Sequence, residues 1–109
     1  MHTLKHVPFA QTMILKDLVE YREHRIVSLA LSAEESTSLV LFALDRGESI
    51  SAEFSTGLEM IAVLEGSLEV SIGEDAFLLK EGDIVAVPPN APHAVKAEER
   101  CKFIQIGVE

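Results

Sequence analysis

The chain has no tryptophan and one cysteine, and its aromatic residues are five phenylalanines and one tyrosine among 109 residues. A core so poor in aromatics must be filled by aliphatic side chains, and hydrophobic residues at 48% supply enough of them. The single cysteine, Cys101, cannot form an intramolecular disulfide. That argues against a small secreted domain stapled by disulfides and makes a cytoplasmic location the expectation. Cys101 stands between Arg100 and Lys102, cations that would activate an exposed thiol. No histidine is adjacent in sequence, so a buried, inert thiol is the preferred reading. Basic residues are also scarce: nine Lys and Arg against 18 Asp and Glu leave a formal net charge of −9. Such a surface repels phosphate backbones and anionic lipids, so neither nucleic acid nor a membrane surface is an expected partner. No apolar run is long enough to span a bilayer, and MHTLKHVPFAQTMILKDL lacks the apolar centre of a secretory signal. A glycine-rich phosphate loop and a Gly-x-Ser-x-Gly element are missing too, which leaves the corresponding nucleotide-binding and hydrolase readings without a motif.

What is present points to a single domain, for which 109 residues suffice. Residues 1–24 read as an N-terminal arm, in which TMILKDLVEY forms a short helix or an irregular segment and Pro8 opposes an earlier helical start. Residues 25–109 change character. RIVSLAL (25–31), SLVLFAL (38–44), MIAVL (60–64), LEVSI (68–72), AFLL (76–79), DIVAV (83–87) and KFIQIGV (102–108) are short and aliphatic or β-branched. In LEVSI, Leu68, Val70 and Ile72 share one face while Glu69 and Ser71 share the other. Asp45-Arg46-Gly47, Glu65-Gly66-Ser67, Gly73-Glu74-Asp75, Lys80-Glu81-Gly82-Asp83 and Pro88-Pro89-Asn90 supply turn residues between runs. Short strands at regular spacing indicate an all-β sandwich or barrel. The SAEES segment (32–36) reads as a polar loop, and His24 as a turn residue.

Two segments go further. GESISAEFSTGLEMIAVLEG (47–66) carries Gly47, Glu59 and Gly66, and GDIVAVPPNAPHAVKA (82–97) carries Gly82, Pro88 and His93. Together they resemble the two sequence motifs of the cupin family. That resemblance implies a jelly-roll barrel of about 8–11 short antiparallel strands with a short N-terminal arm or helix. The chain also looks like the small stand-alone, single-domain cupins. Where the family's first motif has two histidines, this chain has Glu53 and Ser55; in the second motif Asn90 replaces a glycine and Ala97 an asparagine. Asparagine tolerates left-handed backbone, so the Asn90 exchange is mild. The loss of both histidines removes half of the family's usual metal-ligand set.

The resemblance turns positions 53, 55, 59 and 93 toward the interior and makes Glu53, Ser55, Glu59 and His93 the expected ligand-binding residues. Glu53, Glu59 and His93 would be the ligands of any divalent metal, with Mn, Fe, Ni or Zn all chemically admissible and no metal equally open. Local periodicity speaks against this for one residue. Ile50, Ala52 and Phe54 alternate with Ser51, Glu53 and Ser55, which alone would bury Phe54 and expose Glu53. His93 follows a rigid Pro-rich turn into a new strand, a setting that suits a fixed ligand or proton carrier. Three functions follow: a small-molecule-binding barrel without efficient metal catalysis, which is preferred; a metal-dependent dioxygenase, isomerase or lyase; or an interaction module. Leu68, Val70 and Ile72 suggest an apolar cavity with few polar anchors. Sheet edges without a covering helix suggest a homodimer.

Overall fold

The computed structural model describes residues 4–34 and 36–109, so His2 and Glu35 of the SAEES loop lie outside the described residues. Among the described residues there are nine strands: β1 (Ile26–Ala33), β2 (Thr37–Leu44), β3 (Ser49–Glu53), β4 (Leu58–Glu65), β5 (Ser67–Ile72), β6 (Asp75–Lys80), β7 (Ile84–Val87), β8 (His93–Ala97) and β9 (Cys101–Val108). Each of the seven apolar runs lies within or overlaps one of them. The strands form two antiparallel sheets, ordered β1-β2-β9-β4-β7 and β3-β8-β5-β6. This is the all-β, two-sheet barrel architecture that the strand and turn pattern implies.

The five-stranded sheet is covered on both faces around β2 and β9, which explains why SLVLFAL is apolar nearly throughout rather than alternating. Leu44, Ile61, Val63 and Phe103 point between the sheets and meet Leu68, Val70, Leu79, Val95 and Ala97 from the other sheet. Phe42 stacks on Phe103 in this core, with ring centroids 4.9 Å apart. Leu41 and Ala43, one residue out of phase on β2, point to the opposite face. There they pack under Val7, Leu15, Leu18, Val19 and Tyr21 of the N-terminal segment. That segment contains a single 3-10 turn at Leu15–Leu18 and is otherwise irregular. It serves as a lid on the outer sheet face. Tyr21 fastens it by donating its hydroxyl proton to Glu65 at 2.6 Å, and burial together with that bond holds the phenol well above the ordinary tyrosine range.

Two backbone positions set the geometry. Gly66, between β4 and β5, has φ +79°, and a Cβ there would lie 1.9 Å from the Arg100 carbonyl oxygen. Only glycine satisfies both conditions. Asn90 adopts φ +64°, the left-handed conformation expected of it, and its N–H donates to the Ser55 carbonyl at 2.7 Å. The Pro-rich turn is thereby tied to the loop that follows β3. At the opposite end of β8, the Asp45 carboxylate accepts from the His24 and Arg46 backbone N–H groups and from Arg100 Nε. These donors, the His24 N–H first, hold Asp45 down to about 2. His24 is itself left-handed at φ +57°, as a turn residue should be.

Cys101 is fully buried, and desolvation, aided by Glu99 and Glu65, pushes its thiol up to about 12. The neighbouring cations point elsewhere: Arg100 to Asp45, and Lys102 to the Lys16 carbonyl at 2.8 Å.

Candidate functional site

The inward-facing residues of β4 run Val63, Ile61, Glu59, and those of β9 run Phe103, Gln105, Gly107. Val63 faces Phe103, Ile61 faces Gln105 and Glu59 faces Gly107 across the ladder. Both columns therefore begin in the apolar core and change chemistry toward the same end of the barrel. The glycine opposite Glu59 leaves room there, so Gln105 reaches diagonally and its side-chain Nε2 donates to Glu59 Oε2. His93, Val95 and Ala97 are the inward residues of β8. His93 lies across the barrel interior with Nε2 3.8 Å from the same Glu59 oxygen, the two side chains being 3% and 10% exposed. A carboxyl group so enclosed needs hydrogen-bond partners, and the Gln105 amide supplies one.

Among the described residues, His93 Nδ1 is buried with no hydrogen-bond partner. Leaving such a group unsatisfied costs about 1–3 kcal/mol.

Glu53 is decided by strand register. Ile50 faces Val95 and Glu53 faces His93, so three steps along β3 match two along β8. The extra residue is a β-bulge, which reverses the facing of everything beyond it. Glu53 thus joins Ile50 and His93 on the inner side, and Phe54, which alternation would bury, is 69% exposed. Glu53 nevertheless sits at the rim and remains exposed. Among the described residues no three His, Cys, Asp or Glu side chains converge as a metal-binding group. Of the expected metal ligands, Glu59 and His93 meet, while Glu53, paired with His93 across the ladder, is exposed at the rim and is not gathered with them into one group. Resident donors of this kind, one carboxylate already bonded to an amide and one imidazole, do not fit a three-ligand divalent centre.

The open space lies elsewhere than the apolar interior. Leu68 and Val70 are fully buried and fill the core. The enclosed space between Ile50, Glu53, His93, Val95 and Gln105 is about 10 Å³, close to one water molecule. A cleft of about 210 Å³ opens at the barrel end, lined by Glu34, Thr37, Ser38, Ser55, Glu59, Gln105 and Glu109 among others. This cleft, which Ser55 and Glu59 line, is polar rather than apolar. Ser55 lines it while its Oγ accepts from the Gly57 N–H at 3.2 Å. Glu59 and Gln105 connect this cleft to the His93 pair.

Gln105 escaped the sequence reading because KFIQIGV registers as one apolar run. Its signal was a lone amide two residues beyond Phe103, on the inward phase of a buried strand.

The family described as the cupin domain matches residues 40–107. No curated protein matches the sequence significantly. Among solved structures, a conserved protein of unknown function from Streptococcus pyogenes is 25% identical, with TM-score 0.95, covering 100% of this chain and 96% of that one. A cupin superfamily protein from Desulfitobacterium hafniense is 29% identical, with TM-score 0.93 and 98% of each chain covered. Salicylate 1,2-dioxygenase from Pseudaminobacter salicylatoxidans shares the fold at 17% identity and TM-score 0.70, over 76% of this chain and 26% of its own.

Proposed function

The chain is a member of the cupin family, and on that premise we propose that it binds a small organic molecule without a metal, in the end cleft over Glu59 and Gln105. One observation carries the reading: the enclosed Glu59–Gln105–His93 group forms the floor of a cleft whose walls are hydroxyls and carboxylates. At about 210 Å³ the cleft is below the roughly 300–1,000 Å³ of sites for drug-sized ligands. Its ligand is correspondingly small. Acceptors dominate the lining, which favours a hydroxyl- or amine-bearing molecule over a carboxylic acid. Ser55 and Glu59 are the anchors, and Glu53 and His93 support them from the rim and the interior.

The metal-dependent alternative requires a third donor beside Glu59 and His93. The dioxygenase likeness carries a fold and no reaction.

The test is a thermal-shift screen of polyols, sugars and amines in the presence of chelator. At ten times Kd a ligand adds about 1.4 kcal/mol, a rise of roughly 5–10 °C for a domain of this size. The shift should vanish in Glu59→Ala. A broad screen without a single shift, or one whose hits bind Glu59→Ala equally well, counts against the reading.

The same proposal includes a homodimer. Edge strands β6 and β7 expose Phe77, Leu78 and Ile84, apolar groups that a second copy would cover. Sedimentation as a monomer at micromolar concentration removes it. A cytoplasmic setting suits the single buried thiol and is checked by cell fractionation. No helix among the described residues is long and apolar enough to cross a membrane.

A further inference from the structure

We propose that Gln105 is the specificity-determining residue that keeps divalent metals out of this barrel. Spacing by itself does not exclude an ion. Two ligands at about 2.1 Å from a tetrahedral metal stand about 3.4 Å apart. Glu59 Oε2 and His93 Nε2 are 3.8 Å apart, and closing that difference needs only a small side-chain movement. Both groups are enclosed and both are competent donors.

What opposes the ion is the group already on Glu59. The Gln105 amide nitrogen donates to Oε2, the oxygen nearest His93. With Nε2 turned toward Glu59, the amide presents its hydrogens rather than its carbonyl oxygen to that position, and they carry positive charge toward a cation placed there. An entering metal would have to break a charge-assisted hydrogen bond and would meet a neutral amide at the position nearest Glu59 and His93, with Glu53 exposed at the rim. Gln105 therefore does for Glu59 what a cation would otherwise do. It satisfies the enclosed carboxylate with a fixed dipole and leaves the other carboxylate oxygen for the cleft.

The chemistry makes a sharp forecast. Gln105→Glu keeps the length of the side chain and exchanges the donor for a carboxylate. That brings two carboxylates and one imidazole together, a donor set suited to Zn, Fe or Mn. Gln105→His supplies an imidazole from the same backbone position and serves where the first variant does not fold.

Untagged, chelator-stripped protein is titrated with Zn²⁺ and with Co²⁺, read by calorimetry and by the visible Co²⁺ absorption, with folding checked by circular dichroism. The parent is expected to show no saturable site. Gln105→Glu or Gln105→His should bind one equivalent at least about tenfold more tightly than the parent, the scale on which residues around a metal site act. The gain should be lost when His93→Ala is added. One-to-one binding in the parent that depends on His93 overturns the proposal. So does a pair of folded variants with no gain. Should neither variant fold, the parent titration decides alone. The inference does not depend on the cleft ligand, so an empty ligand screen leaves it standing, whereas metal in the parent also removes the metal-free part of the functional reading.

Discussion

The Glu59–Gln105 hydrogen bond should behave as a coupled unit, measurable as a double-mutant cycle of Glu59→Ala, Gln105→Ala and both together. Glu59 is 10% exposed, so its charge is largely removed from water and its donor matters. Gln105→Ala leaves that carboxylate without its side-chain donor. A hydrogen bond to a charged group contributes about 1.5–3 kcal/mol, and an enclosed group stripped of its partner costs a similar amount. Glu59→Ala strands the Gln105 amide in turn, at about 1–3 kcal/mol. In the double variant neither group remains to be stranded. Its loss should therefore be smaller than the sum of the singles, with a coupling energy of about 1.5–3 kcal/mol. Urea unfolding followed by far-UV circular dichroism reads this directly. With a slope of about 1–3 kcal/mol per molar, coupling of this size is a midpoint discrepancy of roughly 1 M. Single effects that add within about 0.5 kcal/mol would refute the coupling and, with it, the claim that Gln105 stabilises the Glu59 charge.

Three further outcomes follow from the fold. Gly66→Ala should destabilise far more than Gly73→Ala. Both residues are left-handed, a strain of about 1–2 kcal/mol for alanine, but a Cβ at 66 meets the Arg100 carbonyl at 1.9 Å while one at 73 meets nothing within 4 Å. Equal losses in chemical denaturation would discount the close approach. Asp45 has its pKa lowered from 3.8 to about 2. A depressed carboxylate contributes stability that is fully present above its unfolded value and is lost as pH falls through the folded one. The stability difference between the parent and Asp45→Asn should therefore be constant at neutral pH and shrink between about pH 4 and 2. A difference unchanged across that window contradicts the assignment. Finally, Cys101, buried and raised to about 12, should resist thiol reagents at pH 8 until the protein unfolds. Prompt stoichiometric labelling of native protein would show that the β9 edge of the core opens locally.

The sequence by itself was enough for the architecture. Strand periodicity, turn residues and the spacing of Gly47, Glu59, Gly66, Gly82, Pro88 and His93 are local properties, and local backbone geometry is what alternation and glycine report. The left-handed Asn90, the inert Cys101 and the turn at His24 were legible for the same reason. The site was not, because each of its features depends on what lies across a ladder. The facing of Glu53 turns on one extra residue opposite β8, and a one-residue slip exchanges the two faces of a strand without changing its composition. Leu68 and Val70 predicted an apolar interior correctly, but only the approach of the two sheets shows that they fill it, with a cleft open at the polar end. Gln105 acquires its role from Gly107 and Glu59, the ladder pair beside it, whose small and charged partners leave the amide room and a target. Periodicity can say that a side chain points inward; which group it meets there is set by register between strands distant in sequence, and that is decided by tertiary structure alone.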